Sequence, residues 1–230
     1  MKTLVLSDIH GNLPALEAIL EKESGFDTCL FLGDVVDYGP FPKECIQFLM
    51  DNMDFGVMGN HDNAIANNVD CGCRGDFRKF SVETRQWHKA LLGKEELGFL
   101  RHLPTIQKTG VDGRSVFMAH ATPQGGLTRY INENELEDEI KGVSDEIILL
   151  GHTHIQFMRY VGTTLVVNPG SVGLARDGGS ACYATITDGQ IKLHRLPYDV
   201  ERTVKALMDS PVSEESKQGL TNVLYGRTLS

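Results

Sequence analysis

The sequence is short of basic residues. Its 230 residues include 22 Lys and Arg against 31 Asp and Glu, which gives a formal net charge of −9 with neutral histidines. Such a chain is poorly suited to holding nucleic acid by neutralising backbone phosphates, so we expect no stable nucleic-acid binding. A small phosphorylated substrate remains compatible with this charge, because bound cations can dominate the local electrostatic field.

The sequence also lacks an apolar run long enough to cross a bilayer. The first apolar run, residues 3–6, is too short for a secretory signal. The five cysteines are an odd number and do not form the pattern of a small disulfide-stabilised domain. We therefore expect a soluble, cytoplasmic protein with reduced thiols and no membrane association, and the sequence does not indicate its oligomeric state.

Two of the cysteines, Cys71 and Cys73, are separated by a single residue. Such a pair can bind a metal ion or form a redox pair, but a structural zinc site usually has two ligand pairs with wider internal spacing. An ordinary loop is the simpler interpretation, and the sequence leaves the role of this pair open.

Short apolar, β-branched runs alternate with amphipathic segments along the chain. The apolar runs predict strands at residues 3–6, 29–32, 55–58, 116–119, 147–150 and 164–167. The amphipathic segments predict helices at residues 13–22, 42–52 and 200–208 and a helical insertion at 76–103. Asp188 and Gly189 are a turn signal between strands 182–187 and 190–196. This order is typical of an α/β fold. We expect one domain, residues 1–230, with a core at 1–196 and a C-terminal helical cap at 197–230.

A polar cluster follows each of the first five predicted strands. These clusters are Asp8 and His10, Asp34 and Asp37, Asn60 and His61, His120, and His152 and His154. If the backbone at Asp8 and His10 is extended, both side chains face the same side. Asp34 can offer its two oxygens to two different metal ions, and Gly59 allows a close backbone approach to a site. Since α/β sheets bind ligands beyond the carboxyl ends of their strands, we expect the clusters to converge on one crevice.

The clusters combine carboxylate, amide and imidazole groups. A single His at a strand end is more often a structural residue, and a single Gly-Asp is usually a turn. Here, however, five of the eight histidines belong to clusters that follow apolar runs. Mixed nitrogen and oxygen ligands favour a transition metal over Mg²⁺ or Ca²⁺. The sequence therefore predicts a centre for divalent Mn, Fe, Ni, Co or Zn.

The motifs occur in a recognisable order. Asp-x-His, Gly-Asp-x-x-Asp, Gly-Asn-His-Asp, a lone His and Gly-His-x-His, over residues 8–154, resemble the motifs of the calcineurin-like metallophosphoesterase superfamily. Residues 168–173, Thr122 with Pro123, and Trp87 ahead of Leu103 resemble its small bacterial and archaeal phosphodiesterase branch, which has diadenosine tetraphosphatase-like relatives. The resemblance implies a four-layer αββα sandwich of two mixed β-sheets flanked by helices.

The resemblance also implies a dinuclear centre. The ligands of the first metal ion would be Asp8, His10, Asp34 and His154. The ligands of the second would be Asp34, Asn60, His120 and His152. Asp34 would bridge the two ions, as a dinuclear site requires. Such a pair polarises phosphate oxygens and lowers the pKa of a water, so that hydroxide can attack phosphorus in line.

Further residues are assigned by the same resemblance. His61 would protonate the leaving group, and Asp37 would fix the tautomer of His61, although Asp37 is also compatible with a simple turn residue. Asp62 is expected to support the site rather than to take part in catalysis. Asn60 and Arg176 are candidates for contacting the substrate, and Arg176 is equally compatible with a surface salt bridge.

One position departs from part of the superfamily. Tyr38 stands where the phosphoprotein phosphatases carry an Arg that grips a terminal phosphate, and Tyr cannot make that bidentate charged contact. We therefore expect a metal-dependent hydrolase of small phosphodiesters or nucleotides. The alternatives are a phosphomonoesterase or protein phosphatase of the same superfamily, a nuclease, and an inactive metal-binding scaffold. His61 favours an enzyme, because a structural metal site does not require it.

Overall fold

A computed structural model describes residues 1–227 of the chain. The strands in this part are β1 (Lys2–Leu6), β2 (Thr28–Phe31), β3 (Phe55–Gly56), β4 (Ile106–Val111), β5 (Arg114–Ala119), β6 (Ile147–Leu149), β7 (Phe157–Val161), β8 (Thr164–Asn168), β9 (Ala181–Thr187) and β10 (Gln190–Leu196). The α-helices are α1 (Leu13–Lys22), α2 (Pro42–Asn52), α3 (Asn60–Asn67), α4 (Asp76–Leu91), α5 (Lys94–His102), α6 (Leu136–Glu139), α7 (Val200–Met208) and α8 (Glu214–Leu224).

The strands form two five-stranded mixed sheets. Sheet A has the order β10-β9-β1-β2-β3, and sheet B has the order β4-β5-β6-β8-β7. In sheet A, β1, β2 and β3 are parallel, and β9 and β10 continue the sheet antiparallel. In sheet B, β5, β6 and β8 are parallel, and β4 and β7 pair antiparallel at the two edges. With helices on the outer faces, this confirms the predicted fold class.

The central strands are apolar on both faces because each sheet is covered on both sides. In β1, Val5 belongs to the apolar layer between the sheets, whereas Leu4 and Leu6 belong to the cluster under the helices. From sheet B, Val116 and Met118 of β5 complete the same inner layer as Val5. The continuous apolar runs of the sequence thus correspond to strands buried on both faces.

The helical layers differ in thickness. Helices α1, α2 and α5 cover sheet A, and Ile19, Ile46 and Leu100 lie in the cluster that they form with it. Sheet B has a thinner outer cover, in which Leu136 of α6 packs with Ile148. The fold is therefore supported mainly by the helices on sheet A.

The C-terminal helices pack against the helical insertion. Phe80 of α4 shares an apolar cluster with Leu207 of α7 and Leu220 of α8. The helical cap predicted at 197–230 contains α7 and α8, and its last three residues, 228–230, lie outside the described part of the chain.

The predicted helices at 13–22, 42–52 and 200–208 have the observed bounds. The strand predicted at 55–58 is shorter, because only Phe55 and Gly56 pair with β2. Strands β4 and β7 were not predicted. Both are edge strands whose side chains are mostly exposed or half-buried, so they carry no apolar run. Within residues 1–227, no helix is long and apolar enough to cross a membrane.

His88 of α4 fastens the loop that follows β2. Its Nδ1 accepts a hydrogen bond from the backbone N–H of Asp37 (3.1 Å), and its Nε2 donates to the carbonyl oxygen of Gly39 (2.9 Å). The ring is fully buried, and burial lowers its pKa to about 4. Both hydrogen bonds require the neutral ring, because a protonated imidazole cannot accept at Nδ1.

Acidification should therefore destabilise the fold through His88. Between the ordinary histidine pKa of 6.5 and the folded value of about 4, the unfolded state binds a proton that the folded state excludes, so the free energy of unfolding falls as pH falls. The contribution should be fully present above pH 6.5 and should be lost near pH 4, a difference of about 3 kcal/mol. Urea unfolding of His88→Gln across this range should show a shallower loss of stability than the wild type.

The matched control is His102→Gln, at an exposed position of α5. This variant should keep the wild-type dependence of stability on pH. Equal slopes in all three proteins would contradict the role given to His88.

Candidate metal centre

Seven polar side chains meet in a crevice at the carboxyl ends of the parallel strands. They are Asp8 and His10 after β1, Asp34 after β2, Asn60 at the start of α3, His120 after β5, and His152 and His154 after β6. All seven are at most 4% exposed. Both sheets direct their strand ends to this crevice, so the structure brings the predicted ligands together.

The ligand atoms form two clusters, in each of which they lie within 4.8 Å of one another. The first cluster contains Asp8, His10 and His154. The second contains Asp34, His120 and His152. Asp34 Oδ2 lies between the clusters, 4.0 Å from His10 Nε2 and 3.1 Å from His120 Nε2. Asp34 Oδ1 instead accepts a hydrogen bond from the backbone N–H of His61 at 2.8 Å. A single oxygen of Asp34 therefore faces both clusters, and the other is held by the backbone of His61.

Three imidazoles direct lone pairs into the crevice. Nδ1 of each ring donates to a backbone carbonyl oxygen at 2.7 Å, and the pairs are His10 with Val36, His120 with Leu32, and His154 with Leu174. In a neutral ring, Nε2 is then an acceptor. Nε2 of His10 nevertheless lies 3.2 Å from Nε2 of His154. Two ring nitrogens that are both acceptors in the neutral rings thus face each other.

Other acceptors in the crevice also lack a donor. Asp8 Oδ1, Asp34 Oδ2 and His152 Nε2 are buried without a hydrogen-bond partner. Asn60 places its Oδ1 3.0 Å from His120 Nε2, while its Nδ2 donates to a backbone carbonyl oxygen. Buried acceptors that face one another are costly unless a cation lies among them. The residues present therefore fit divalent cations with mixed nitrogen and oxygen ligands.

Asp8, Asp34 and His10 have the protonation states of metal ligands. Burial opposes ionisation of Asp8, but the neighbouring His154 outweighs it and lowers the pKa of Asp8 to about 2. In the same way, His120 outweighs burial and holds the pKa of Asp34 well below its usual range. Burial lowers the pKa of His10 to about 3. Near neutral pH these carboxylates are ionised and His10 is neutral, which are the forms that coordinate metal. At His120, burial opposes the charged form, but Asp34 outweighs it and raises the pKa to about 9, so this ring must lose a proton before it coordinates.

The crevice is built on left-handed backbone. Of the ten non-glycine residues with positive φ in the described part of the chain, five are predicted ligands: Asp8 (52°), His10 (47°), Asp34 (63°), His152 (66°) and His154 (59°). Each such conformation costs about 1–3 kcal/mol and persists only where the surroundings enforce it. The extended backbone predicted at Asp8 and His10 is therefore wrong. Backbone hydrogen bonds from Asp8 N to Gly33 O and from His10 N to Asp34 O hold this loop against the one after β2.

Asp62 and Gly59 position the Asp34 loop. The Asp62 carboxylate accepts hydrogen bonds from the backbone N–H groups of Asp34 (2.7 Å), Val35 (2.9 Å) and Gly59 (3.0 Å). A Cβ atom at Gly59 would lie 2.0 Å from Asp34 Oδ1, so no larger residue fits there. Asp62 thus supports Asp34 without joining either cluster, and Gly59 provides the close approach that the sequence predicted.

His61 lies beside the two clusters. Its Nδ1 donates to Asp37 Oδ2 at 2.6 Å, and the same oxygen accepts from Arg85 Nη2 at 2.6 Å. Burial opposes the charged form of His61, but Asp34 and Asp37 outweigh it and raise its pKa to about 9. A ligand atom of His61 also lies within 4.8 Å of those of His10 and Asp34. The structure therefore brings His61 and Asp37 together, next to the predicted ligands.

The other neighbours of His61 were hard to find from the sequence. Tyr38 places its hydroxyl 3.4 Å from His61 Nε2, and Cys73 places its Sγ 3.3 Å from the same nitrogen. The Cys-x-Cys spacing was visible in the sequence, but its position beside His61 was not. Arg85 lies in the middle of α4, where no motif distinguishes it from the other charged residues of that helix.

A cavity of about 530 Å³ lies beside the crevice. Its lining includes Tyr130 and Arg176. The ring of Tyr130 lies 4.2 Å from that of His152 between centroids. The Arg176 guanidinium lies 4.5 Å from the ring centroid of Phe77 and 5.6 Å from that of Tyr130. Arg176 is thus held by two aromatic rings at the edge of the cavity, a setting that its sequence position alone did not reveal.

The chain is similar to known phosphoesterases and to an uncharacterised protein. An uncharacterised protein of Methanocaldococcus jannaschii is 30% identical over 231 aligned positions, covering 91% of this chain and 93% of that protein. The phosphodiesterase YfcE of Escherichia coli is 27% identical over 198 positions, covering 81% of this chain and 87% of that protein. The crystal structure of a metallophosphoesterase from Sphaerobacter thermophilus superposes with a TM-score of 0.83 at 26% identity, covering 96% of this chain and 98% of that one.

Most of the sequence also matches a known family. Residues 1–189 match the Calcineurin-like phosphoesterase superfamily domain, a span that includes all seven predicted ligands as well as His61 and Asp37. The two mixed sheets and the crevice of buried acceptors at the carboxyl ends of their parallel strands agree with this match. The chain belongs to the calcineurin-like phosphoesterase superfamily.

Proposed function

We propose that the chain is a dinuclear metal-dependent phosphodiesterase that hydrolyses small phosphodiester or nucleotide substrates. The observation that carries this proposal is the pair of clusters on either side of Asp34 Oδ2, in which Asp8 Oδ1 and His152 Nε2 are also buried without a partner. When bound, two divalent cations act as Lewis acids on the phosphate oxygens and make an attacking hydroxide available near neutral pH.

Hydrogen bonds within the chain hold the candidate ligands in fixed orientations. The rings of His10, His120 and His154 are fixed by hydrogen bonds to backbone carbonyl oxygens, so their Nε2 atoms need no rearrangement before they bind. Asp62 holds the backbone on both sides of Asp34. The site is thus pre-organised, which lowers the cost of reaching the transition state.

His61 is the proposed proton donor to the leaving group. The Asp37 carboxylate fixes its Nδ1–H, and Arg85 holds that carboxylate in turn, so Nε2 is the nitrogen left for the substrate. A pKa raised to about 9 keeps the ring protonated at neutral pH. A protonated Nε2 can then transfer its proton to the departing oxygen.

The substrate side of the site favours a diester or a nucleotide over a terminal phosphate. Tyr38 is buried and offers a neutral hydroxyl, not a cation that would pair with a phosphate dianion. Arg176 and Tyr130 instead line a cavity of about 530 Å³, which gives room for an organic ester group next to the crevice. The phosphodiesterase activity named for the Escherichia coli relative agrees with this preference.

Replacement of Asp34 tests the metal centre. Asp34→Asn removes the charged oxygen that faces both clusters, so turnover should fall at least about 10³-fold, which corresponds to about 4 kcal/mol of lost transition-state stabilisation. The rates are measured after reconstitution with Mn, Ni, Co, Fe or Zn on a bis-aryl phosphate, an aryl monoester, a 2′,3′-cyclic nucleotide and a dinucleoside polyphosphate, together with metal content. Asp51→Asn, on the exposed side of α2, is the control. Unchanged turnover in Asp34→Asn, or no hydrolysis by the wild type with any metal, would overturn the proposal.

Replacement of His61 tests proton donation. An alkyl leaving group needs a proton and a nitrophenyl group does not, so His61→Asn should lower kcat about 10²–10⁴-fold for alkyl esters and much less for nitrophenyl esters. With an alkyl ester, the wild-type rate should also decline as pH rises through the pKa of His61, at or below about 9 because bound cations lower that value. The variant should lack this decline. Equal losses on both classes of ester would refute the assignment.

Replacement of Arg176 tests the substrate contact. Arg176→Gln removes a charge-assisted contact with the phosphate or its ester group, so KM should rise about tenfold while kcat changes little. Lys205→Gln, an exposed position of α7 with the same change of charge, should leave both constants as in the wild type. If Arg176→Gln behaves like this control, Arg176 has no part in substrate binding.

A further inference from the structure

A third group of ligand atoms lies outside the two clusters of the proposed dinuclear centre. His61, Cys71 and Cys73 each place one ligand atom within 4.8 Å of the other two, and Cys73 Sγ lies 3.3 Å from His61 Nε2. Cys71 and Cys73 are only 2% and 8% exposed, and neither forms a disulfide. Two buried thiols and an imidazole are the ligand types that bind zinc and related soft cations.

The loop between α3 and α4 is shaped to bring both thiols to one side. Gly72 has a φ of +77° between the two cysteines, a conformation that glycine adopts without strain. A Cβ atom at this position would lie 2.8 Å from the Thr128 side chain, so the loop also packs closely. The carbonyl oxygen of Cys71 accepts a hydrogen bond from Asn60 Nδ2 at 2.9 Å. The loop is therefore held in place rather than free to swing.

The imidazole is oriented as a metal ligand. His61 Nδ1 is bound to Asp37 Oδ2, which leaves Nε2 directed to the thiols. A carboxylate that holds one nitrogen while the other coordinates is the usual arrangement around protein-bound zinc. The Tyr38 hydroxyl lies 3.4 Å from His61 Nε2 and 3.5 Å from Cys73 Sγ, and so stands at a fourth side of the group.

The local charges also suit a dication. Asp37 is already paired with Arg85 at 2.6 Å, so these two charges offset each other. When a cation binds, Cys71, Cys73 and the protonated Nε2 of His61 each lose a proton to solvent, and the two thiolates then balance the charge of the cation. Thiolates select soft or borderline cations over Mg²⁺ and Mn²⁺. The group thus differs in metal preference from the nitrogen and oxygen clusters beside it.

We propose that His61 Nε2, Cys71 Sγ and Cys73 Sγ form a separate site for one soft divalent cation, such as Zn²⁺ or Cd²⁺, and that the bound cation inhibits the enzyme. The inhibitory part rests on the proposed function, because a cation on Nε2 prevents His61 from giving a proton to the leaving group. The binding part does not depend on it.

Cadmium titration of the full-length, Mn-loaded protein tests the binding. Thiolate coordination produces a sulfur-to-cadmium charge-transfer absorption in the ultraviolet, which cadmium at the nitrogen and oxygen clusters does not produce. The wild type should gain this absorption with one equivalent of Cd²⁺, and the double variant Cys71→Ser, Cys73→Ser should gain none. Cys182→Ala, which removes a buried cysteine outside the group, should behave like the wild type. Absorption of the same size in the double variant, or none in the wild type, would overturn the site.

His61→Asn provides a second variant in which both thiols remain. Its affinity for Cd²⁺ should fall about tenfold or more, since even the loss of an outer partner of a metal ligand has an effect of that size. An unchanged affinity would remove His61 from the site, whether or not the double cysteine variant folds.

Turnover of an alkyl phosphodiester tests the inhibition. Stoichiometric Cd²⁺ should lower the wild-type rate at least about tenfold, whereas the rate of the double cysteine variant should be the same with and without Cd²⁺. Equal inhibition of both proteins would show that Cd²⁺ acts at the dinuclear centre, and would overturn the inhibitory role. If the wild type hydrolyses none of the phosphoesters, the proposed function fails, while the absorption still decides the binding site.

Discussion

Seven buried candidate ligands share one crevice, and the surrounding loops and sheets must hold them at short distances from one another. Oxygens of Asp8 and Asp34 and the Nε2 atoms of three imidazoles lie within a few ångströms of one another. A chain free to relax would turn these groups apart or bring water to them. Here backbone carbonyl oxygens hold the rings, and hydrogen bonds between loops enforce left-handed backbone at the ligands. The crevice is therefore a rigid arrangement of nitrogen and oxygen atoms that suits divalent cations.

The stability that holds this arrangement comes from the two sheets. Strands such as β1 and β5 are buried on both faces, and the layer between the sheets is closed by residues from each, including Val5 and Met118. The ligands come from loops of both sheets, so the crevice exists only when the sheets are packed together. Apolar burial and site geometry are thus coupled, because the same packing that stabilises the fold sets the distances among the ligands.

The segment from the Cys71 loop through α4 supplies the residues that surround Asp37 and His61. It supplies Arg85, which offsets the charge of Asp37, and His88, which fastens the loop that carries Asp37. It also places two thiols beside His61 Nε2. Since Nδ1 is held by Asp37, the proposed proton donation and the inferred soft-cation binding depend on the same nitrogen of His61. The two activities are therefore mutually exclusive at this residue.

The fold class, the positions of the main helices and the set of candidate ligand side chains could be predicted from the sequence alone. Continuous apolar runs mark strands buried on both faces, and the polar residues directly after them, such as Asp8 and His120, lie at the carboxyl ends of those strands. The edge strands β4 and β7 gave no such signal, because half of their surface remains in solvent. Three features became visible only in the folded protein: one oxygen of Asp34 faces both clusters, Asp8 and His10 lie on left-handed backbone, and Arg85 and Cys73 reach the Asp37–His61 pair. Periodicity along a chain reports burial within one element. These contacts instead join elements that are distant in sequence, and the packing of the sheets and α4 sets them.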